Sequence, residues 1–161
     1  MSQGVEWAVH CCTVLGALPP GRTLPSAKLA EYHEVPPAYL AKHLQALSQA
    51  GIVESVPGPR GGYRLARPPE DITVLDVVLA VDGEEAAFVC TEIRQCGPAA
   101  CADASAYTKP CGIARVMWAA EDAWRRSLRE HTIASLLVTV MREAPPSQLV
   151  AGAEWIKETM R

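Results

Sequence analysis

A positive net charge is missing from this chain. Its 161 residues carry 15 Lys or Arg against 18 Asp or Glu, a formal net charge of -3. That excludes a basic coat over the whole surface. It leaves room for a local nucleic-acid face. Residues 1–70 hold six basic and five acidic side chains, and residues 71–161 hold nine and thirteen, so the first part is where such a face is permitted. No run approaches 18 apolar residues, and no membrane span is expected. The first residues lack the basic region, apolar stretch and cleavage site of a secretory signal, so a cytoplasmic protein is expected. There is no internal repeat, no nucleotide-binding glycine motif and no residue set that marks a substrate site with a partner base. An enzyme is therefore not expected.

What is present is enough apolar material for one domain, or one domain with an extension: 49% of residues are hydrophobic. Residues 5–18 have helical periodicity through Val5, Val9, Cys12 and Leu15, and Pro19-Pro20-Gly21 stops the helix. A short second helix is expected over 26–32, with Ser26 as its N-cap and Leu29 and Ala30 inward. His33-Glu34-Val35 is a tight connection, and Pro36 or Pro37 opens a third helix with Leu40, Leu44 and Leu47 on one face. Gly51 ends it. The period then drops to two. Residues 52–56 and 63–65 read as strands around the turn Gly58-Pro59-Arg60-Gly61-Gly62. Three short helices followed by a Gly-rich hairpin make a winged helix-turn-helix.

Thr73 can cap a helix over 74–81, which Asp82-Gly83 ends. Residues 113–130 form the longest helix, with Ile113, Val116, Met117, Ala120, Trp124 and Leu128 at spacings of three and four. That stripe suits packing against a second copy of the chain, or against helices of its own. Thr132 starts another short helix, Pro145-Pro146 breaks the chain, and 148–159 is a last helix or a tail. The expected architecture is mostly α with a small β wing: a winged helix-turn-helix at 1–82, a cysteine loop at 83–111, a dimerisation helix and short helix at 112–144, and a C-terminal segment at 145–161.

Four of the six cysteines, Cys90, Cys96, Cys101 and Cys111, fall in the irregular stretch 84–111. Thiols gathered in such a loop point to a metal or redox site, since a structureless stretch of this length needs a source of order. Their spacing matches neither the bacterial ferredoxin run nor a zinc ribbon. Cys111 directly precedes the long helix, whose positive end favours its thiolate. Glu6 and His10 are four apart and share one face of the first helix, as a surface pair or as part of a metal site. Cys11 and Cys12 look like small core residues. For DNA contact the candidates are Tyr39, Lys42 and His43 on the front of the third helix, with Arg60 and Gly61 at the wing tip.

These residues carry a resemblance. The segment Tyr39-Leu40-Ala41-Lys42, the wing from Gly58 to Tyr63, Ile72-Thr73-Val74-Leu75-Asp76-Val77-Val78, and Phe88-Val89-Cys90 with a cysteine before the long helix resemble the winged-helix iron–sulfur transcription regulators of the IscR and NsrR family. The likeness covers about residues 1–140. Gly4-Val5-Glu6-Trp7-Ala8-Val9-His10-Cys11-Cys12, taken with Phe88 to Gln95, is closer still to the actinobacterial redox regulators of the RsrR type within that family.

The resemblance implies a cytoplasmic homodimer that binds a dyad operator in double-stranded DNA, usually as a repressor. It implies a [2Fe–2S] cluster held by Glu6, His10, Cys90 and Cys111, with Trp7 beside it as a redox gate. The family's common pattern has three closely spaced cysteines, and Cys96 is present here, with Cys101 as an extra thiol. A [4Fe–4S] cluster using Cys90, Cys96 and Cys111, in a nitric oxide sensor, is the rival. A regulator without cofactor, whose cysteines form a reversible disulfide, is a further alternative.

Overall fold

In the computed structural model, residues 1–58 and 61–160 are described, apart from the side chains of Ala104 and Ala106. The first helix, α1 (Gln3–Gly16), is followed by α2 (Ser26–Tyr32) and α3 (Pro37–Gln49). The strands β1 (Val53–Val56) and β2 (Gly62–Leu65) then form an antiparallel hairpin in the register Val53 to Leu65 and Val56 to Gly62. After a 3-10 turn at Pro69–Asp71 come α4 (Val74–Asp82), 3-10 turns at Ile93–Gln95 and Ala104–Tyr107, α5 (Gly112–Arg129), α6 (Ile133–Glu143) and α7 (Pro146–Thr159). The winged helix-turn-helix expected from the sequence is present, as is the long helix after the cysteine loop.

Local signals account for most helix ends. Gly51 stands just beyond α3 with φ 67°, a conformation that a side chain disfavours. Thr73 caps α4 reciprocally: the Asp76 N–H donates to its hydroxyl at 3.1 Å, and its own N–H donates to the Asp76 carboxylate at 2.9 Å. Thr132 and Ser135 repeat this device at α6. One expected cap is displaced. Ser26 is the first residue of α2 and makes no capping bond; Pro25 precedes it, and its carbonyl accepts from the N–H groups of Lys28 and Leu29.

The chain divides into two compact units, Met1–Gly83 with Arg129–Arg161, and Glu84–Leu128. The first contains the core. Ala8, Cys11, Cys12 and Leu15 of α1, Leu29 of α2, Leu40, Leu44 and Leu47 of α3, and Ile133 of α6 are buried together. Cys11 and Cys12 are fully buried core thiols. Burial pushes Cys11 up to about 12 and pushes Cys12 up as well, so neither is a reactive thiolate at neutral pH.

The grouping departs from chain order at one point. The short helix α6 packs with the winged helix, where the expectation had grouped it with the long helix. The reason is a backbone join: Val74 N–H donates to His131 O at 2.8 Å and Ile133 N–H to Ile72 O at 2.9 Å, around a bridge between Thr73 and Thr132. The last segment is a helix rather than a tail. Trp155 of α7 stacks edge-on against Tyr32 of α2 at 4.9 Å, and Arg22 donates to the Met160 carbonyl.

The second unit has little apolar core. Of α5, only Ala114 and Glu121 are buried. Glu121 is the single buried charged residue among those described. It pairs with Arg125 at 2.8 Å and accepts from the Ala87 N–H at 3.2 Å, while Arg125 also donates to the Glu84 carbonyl. These bonds tie the start of the loop to α5. The apolar stripe of α5 is left open: Ile113 and Val116 are 70% and 69% exposed.

Candidate functional site

The helix-turn-helix is built by α2 and α3. Between them Glu34 takes a left-handed conformation at φ 51°, and the Val35 N–H donates back to Ala30 O at 3.0 Å. Pro36 and Pro37 then start α3 without loss, since the first helical N–H groups lack partners in any case. With Leu40, Leu44 and Leu47 buried, the opposite side of α3 faces outward. Tyr39 is 64% exposed and Lys42 is exposed beside it. This is a face from which a phenol and an ammonium reach phosphate or base edges.

His43 is placed differently. It is half-buried, with its ring lying on the backbone of Gly4, where an added methyl group would sit 2.2 Å from the ring carbon Cε1. Trp7 lies edge-on to both His43 at 6.1 Å and Tyr39 at 6.5 Å. The α1–α3 contact is therefore an aromatic trio, Trp7 with Tyr39 and His43. The sequence had marked each of these residues separately, and only packing joins them.

In the wing, Glu54 and Arg64 form a cross-strand ion pair at 2.6 Å. Gly61 and Gly62 are sterically required. A side chain at Gly61 would meet the Val56 carbonyl at 2.1 Å, and one at Gly62 would meet the Leu24 backbone at 2.4 Å. Leu24 and Tyr63 exchange both backbone bonds there, which fastens the wing to the segment before α2. Arg60, the expected wing-tip contact, lies outside the described residues.

The expected ligands fall in both units. Glu6 and His10 lie one turn apart on α1, both exposed. The Glu6 carboxylate has no hydrogen-bond or ion-pair partner among the described residues. The His10 ring sits 5.6 Å from that of His33. His33 was not singled out by sequence. Its Nε2 is buried without a hydrogen-bond partner, and burial, then the neighbouring His10, hold the imidazole below its usual range. In the loop, Cys90 and Cys111 are half-buried, whereas Cys96 and Cys101 are exposed. All six cysteines are free thiols. The N–H groups of Ala114 and Ile113, at the start of α5, bear on the Cys111 sulfur and hold this thiol below its usual range, with Arg94 adding to the effect.

Among the described residues, no three His, Cys, Asp or Glu side chains gather closely enough to hold a metal ion. Glu6 and His10 belong to the first unit, and Cys90 and Cys111 to the second. Their chemistry nevertheless fits an iron–sulfur cluster: a thiol biased toward thiolate, a second thiol, and a carboxylate and an imidazole exposed on one helix face.

Residues 1–139 match the family model for Rrf2, described as an iron-dependent transcriptional regulator. The chain belongs to the Rrf2 family. Among its relatives, YwgB of Bacillus subtilis (strain 168), by name a transcriptional regulator of helix-turn-helix type, is 33% identical over 133 residues, 83% of this chain and 81% of that protein. Solved structures share the fold. CymR, the global cysteine regulator of B. subtilis, superposes with TM-score 0.68 at 20% identity, covering 86% of this chain and 96% of that one. The T. potens IscR gives TM-score 0.67 at 21% identity over 90% of each chain. This Rrf2 chain is a DNA-binding transcription regulator of a non-enzymatic family. Regulators of this fold are typically dimers. No helix among the described residues is long and apolar enough to cross a membrane.

Proposed function

We propose that this Rrf2 protein is a redox-responsive, iron–sulfur-dependent repressor that binds a dyad operator as a homodimer. The observation that carries the reading is the position of Trp7. It stands between Glu6 and His10 in the sequence of α1, and its ring touches Tyr39 and His43 of the recognition helix α3. A change in what Glu6 and His10 bind is thus one side chain away from the DNA-reading face.

Glu6, His10, Cys90 and Cys111 would hold a [2Fe–2S] cluster, with the α1 pair and the thiolates contributed by two subunits. Such a group supplies reversible one-electron chemistry, at a potential above that of an all-thiolate site. Trp7 passes a change in the α1 ligands to Tyr39 and His43. Tyr39 and Lys42 meet phosphates or a guanine edge, and Arg60 and Gly61 bring the wing to the backbone. The open face of α5, with Ile113, Val116 and Met117, is the dimer contact. Two recognition helices must then meet major grooves about 34 Å apart, so a small rotation abolishes binding.

Native mass spectrometry and operator titration of anaerobically purified protein test this. Two irons per chain are expected, lost on His10→Ala or Cys111→Ala and kept on Cys96→Ala. Trp7→Ala is expected to keep iron and to lose the difference in operator affinity between oxidised and reduced protein. Four irons per chain, lost on Cys96→Ala and kept on His10→Ala, would replace the assignment with a [4Fe–4S] site. An iron-free protein with a reversible disulfide among the loop cysteines would replace it with a thiol switch.

A further inference from the structure

The loop that carries the thiols contains an acid–base pair that neither the composition nor the spacing of cysteines announces. Cys90 donates its S–H to Oε1 of Glu92 at 3.7 Å. The backbone N–H of Cys111 bears on the same carboxylate from the other end of the loop. Arg94 donates its Nε–H to Oε2 of Glu92 at 2.6 Å, and a terminal N–H to the carbonyl of Lys109, two residues before Cys111. Its guanidinium lies 5.3 Å over the ring of Tyr107, whose hydroxyl donates back to the Arg94 carbonyl at 3.2 Å. Glu92 itself is held at φ 52°, a left-handed conformation that a non-glycine residue keeps only when its surroundings enforce it. Every one of these contacts joins the 90–94 end of the loop to the 107–111 end, or fixes a residue that does so.

A solvent-facing ion pair adds little by itself, and this one is about one-third exposed on each side. Its effect here is geometric. Twenty residues separate the two thiols, and a chain of that length left free brings its ends together only rarely. One carboxylate that contacts the Cys90 sulfur and faces the Cys111 backbone removes much of that search.

We propose that Glu92 and Arg94 are positioning residues for the thiol pair: their ion pair ties the 90–94 end of the loop to the 107–111 end, so that Cys90 and Cys111 can close together on one thiophilic centre. This rests on Cys90 and Cys111 being the functional pair, and not on which cluster they hold. Cys96 and Cys101 are exposed, and among the described residues no carboxylate accepts from their thiols, which separates them from the pair.

The test uses the full-length, reduced, iron-free chain carrying Cys96→Ser and Cys101→Ser. The probe is phenylarsine oxide, which condenses with two thiols: two As–S bonds form, and the arsenic-bound oxygen leaves as water with the two thiol protons. The expected result is one arsenical per chain, abolished by Cys90→Ser. Glu92→Gly keeps the left-handed turn and removes the carboxylate, and should weaken arsenical binding at least tenfold. Arg94→Ala should do the same, with Arg94→Lys recovering part of the loss. The thermal midpoint should stay at the parent value. A mere loop staple would lower the thermal midpoint together with two-thiol binding. Arsenical affinity unchanged in Glu92→Gly, or no arsenical bound by the parent, overturns the proposal. Iron content of the loaded wild type is read separately. Tight arsenical binding that depends on Glu92, without iron in the loaded protein, would sink the cluster reading and leave the clamp standing; iron present with Glu92-independent arsenical binding would do the reverse.

Discussion

The winged-helix unit and the loop unit are held by different forces. In Met1–Gly83 with Arg129–Arg161, order comes from apolar burial: Leu24, Leu29, Leu40, Leu44, Leu47, Ile52, Ile72 and Ile133 are fully buried. In Glu84–Leu128, polar contacts dominate, centred on Glu121 with Arg125 and on Glu92 with Arg94. Each unit contains one glutamate in a left-handed conformation, Glu34 in the first and Glu92 in the second. At Glu34 the strained residue makes the turn of the DNA-reading motif. At Glu92 it aims a carboxylate at a thiol. Apolar burial is non-directional and tolerates only a densely filled interior, whereas polar contacts are directional and individually weak. The first unit is therefore suited to be a rigid reader and the second to respond to what it binds.

The comparison is broken most severely in the core. Leu44→Ala should cost about 2–5 kcal/mol of global stability, since it removes a fully buried side chain between α3 and its neighbours. Chemical denaturation followed by circular dichroism measures this. A loss below about 1 kcal/mol would mean that the α3 face is not the centre of the core.

Gly4→Ala comes next. The new methyl group must displace the His43 ring, and overpacking of this kind costs about 1–3 kcal/mol. Operator affinity should fall with it, because Trp7 and Tyr39 share the displaced contact. A fluorescence anisotropy titration showing wild-type operator affinity would sever the proposed link between α1 and the reading face.

Glu121→Gln should act on the second unit alone. It removes a charge-assisted bond to Arg125 and weakens that to the Ala87 N–H, an effect of about 1 kcal/mol. Hydrogen exchange should quicken over residues 84–88, with protection in α1 and α3 unchanged. Uniform acceleration in both units would show that they do not open separately.

The smallest effect is a pH-dependent one at the N-terminus. Partial burial pushes the Asp82 carboxyl up, but the Ser2 hydroxyl at 2.5 Å, the Ser2 N–H at 2.9 Å and the terminal ammonium at 3.7 Å outweigh it and hold the group below its usual range. A depressed carboxylate contributes stability above its unfolded pKa and loses it as pH falls through the folded value. Ser2→Ala should therefore melt slightly below the parent at pH 7, and the gap should close once Asp82 is protonated. Melting curves that stay apart in acid would assign the effect to packing instead.

Much of the fold was legible because its signals are local. Pro19-Pro20, Gly51, Thr73 and Thr132 act within four residues of themselves, and a helix end needs nothing further. The wing was legible from its glycines and its change of period, and Tyr39 and Lys42 from the side of α3 opposite to its leucines. Cys111 was marked by the helix start that follows it; Cys90 and Cys111 are half-buried, and Cys96 and Cys101 are exposed. Ser26 shows how a local signal fails: Pro25 supplies the carbonyl that opens α2, so the hydroxyl is not needed there.

The sequence by itself determined the order of the helices and the wing, because periodicity, caps and turn residues act between near neighbours. Only the tertiary structure decided that α6 and α7 return to the winged helix, through the Thr73–Thr132 bridge and the Trp155–Tyr32 contact. It also decided that His43 turns in against Gly4, that Glu121 holds the start of the loop, and that Glu92 stands between Cys90 and Cys111. Most of these pairings join residues tens of positions apart. Glu92 and Cys90, only two residues apart, meet with Glu92 in a left-handed conformation. No periodicity encodes such meetings, and the free energy that selects them exists only once the chain has closed on itself.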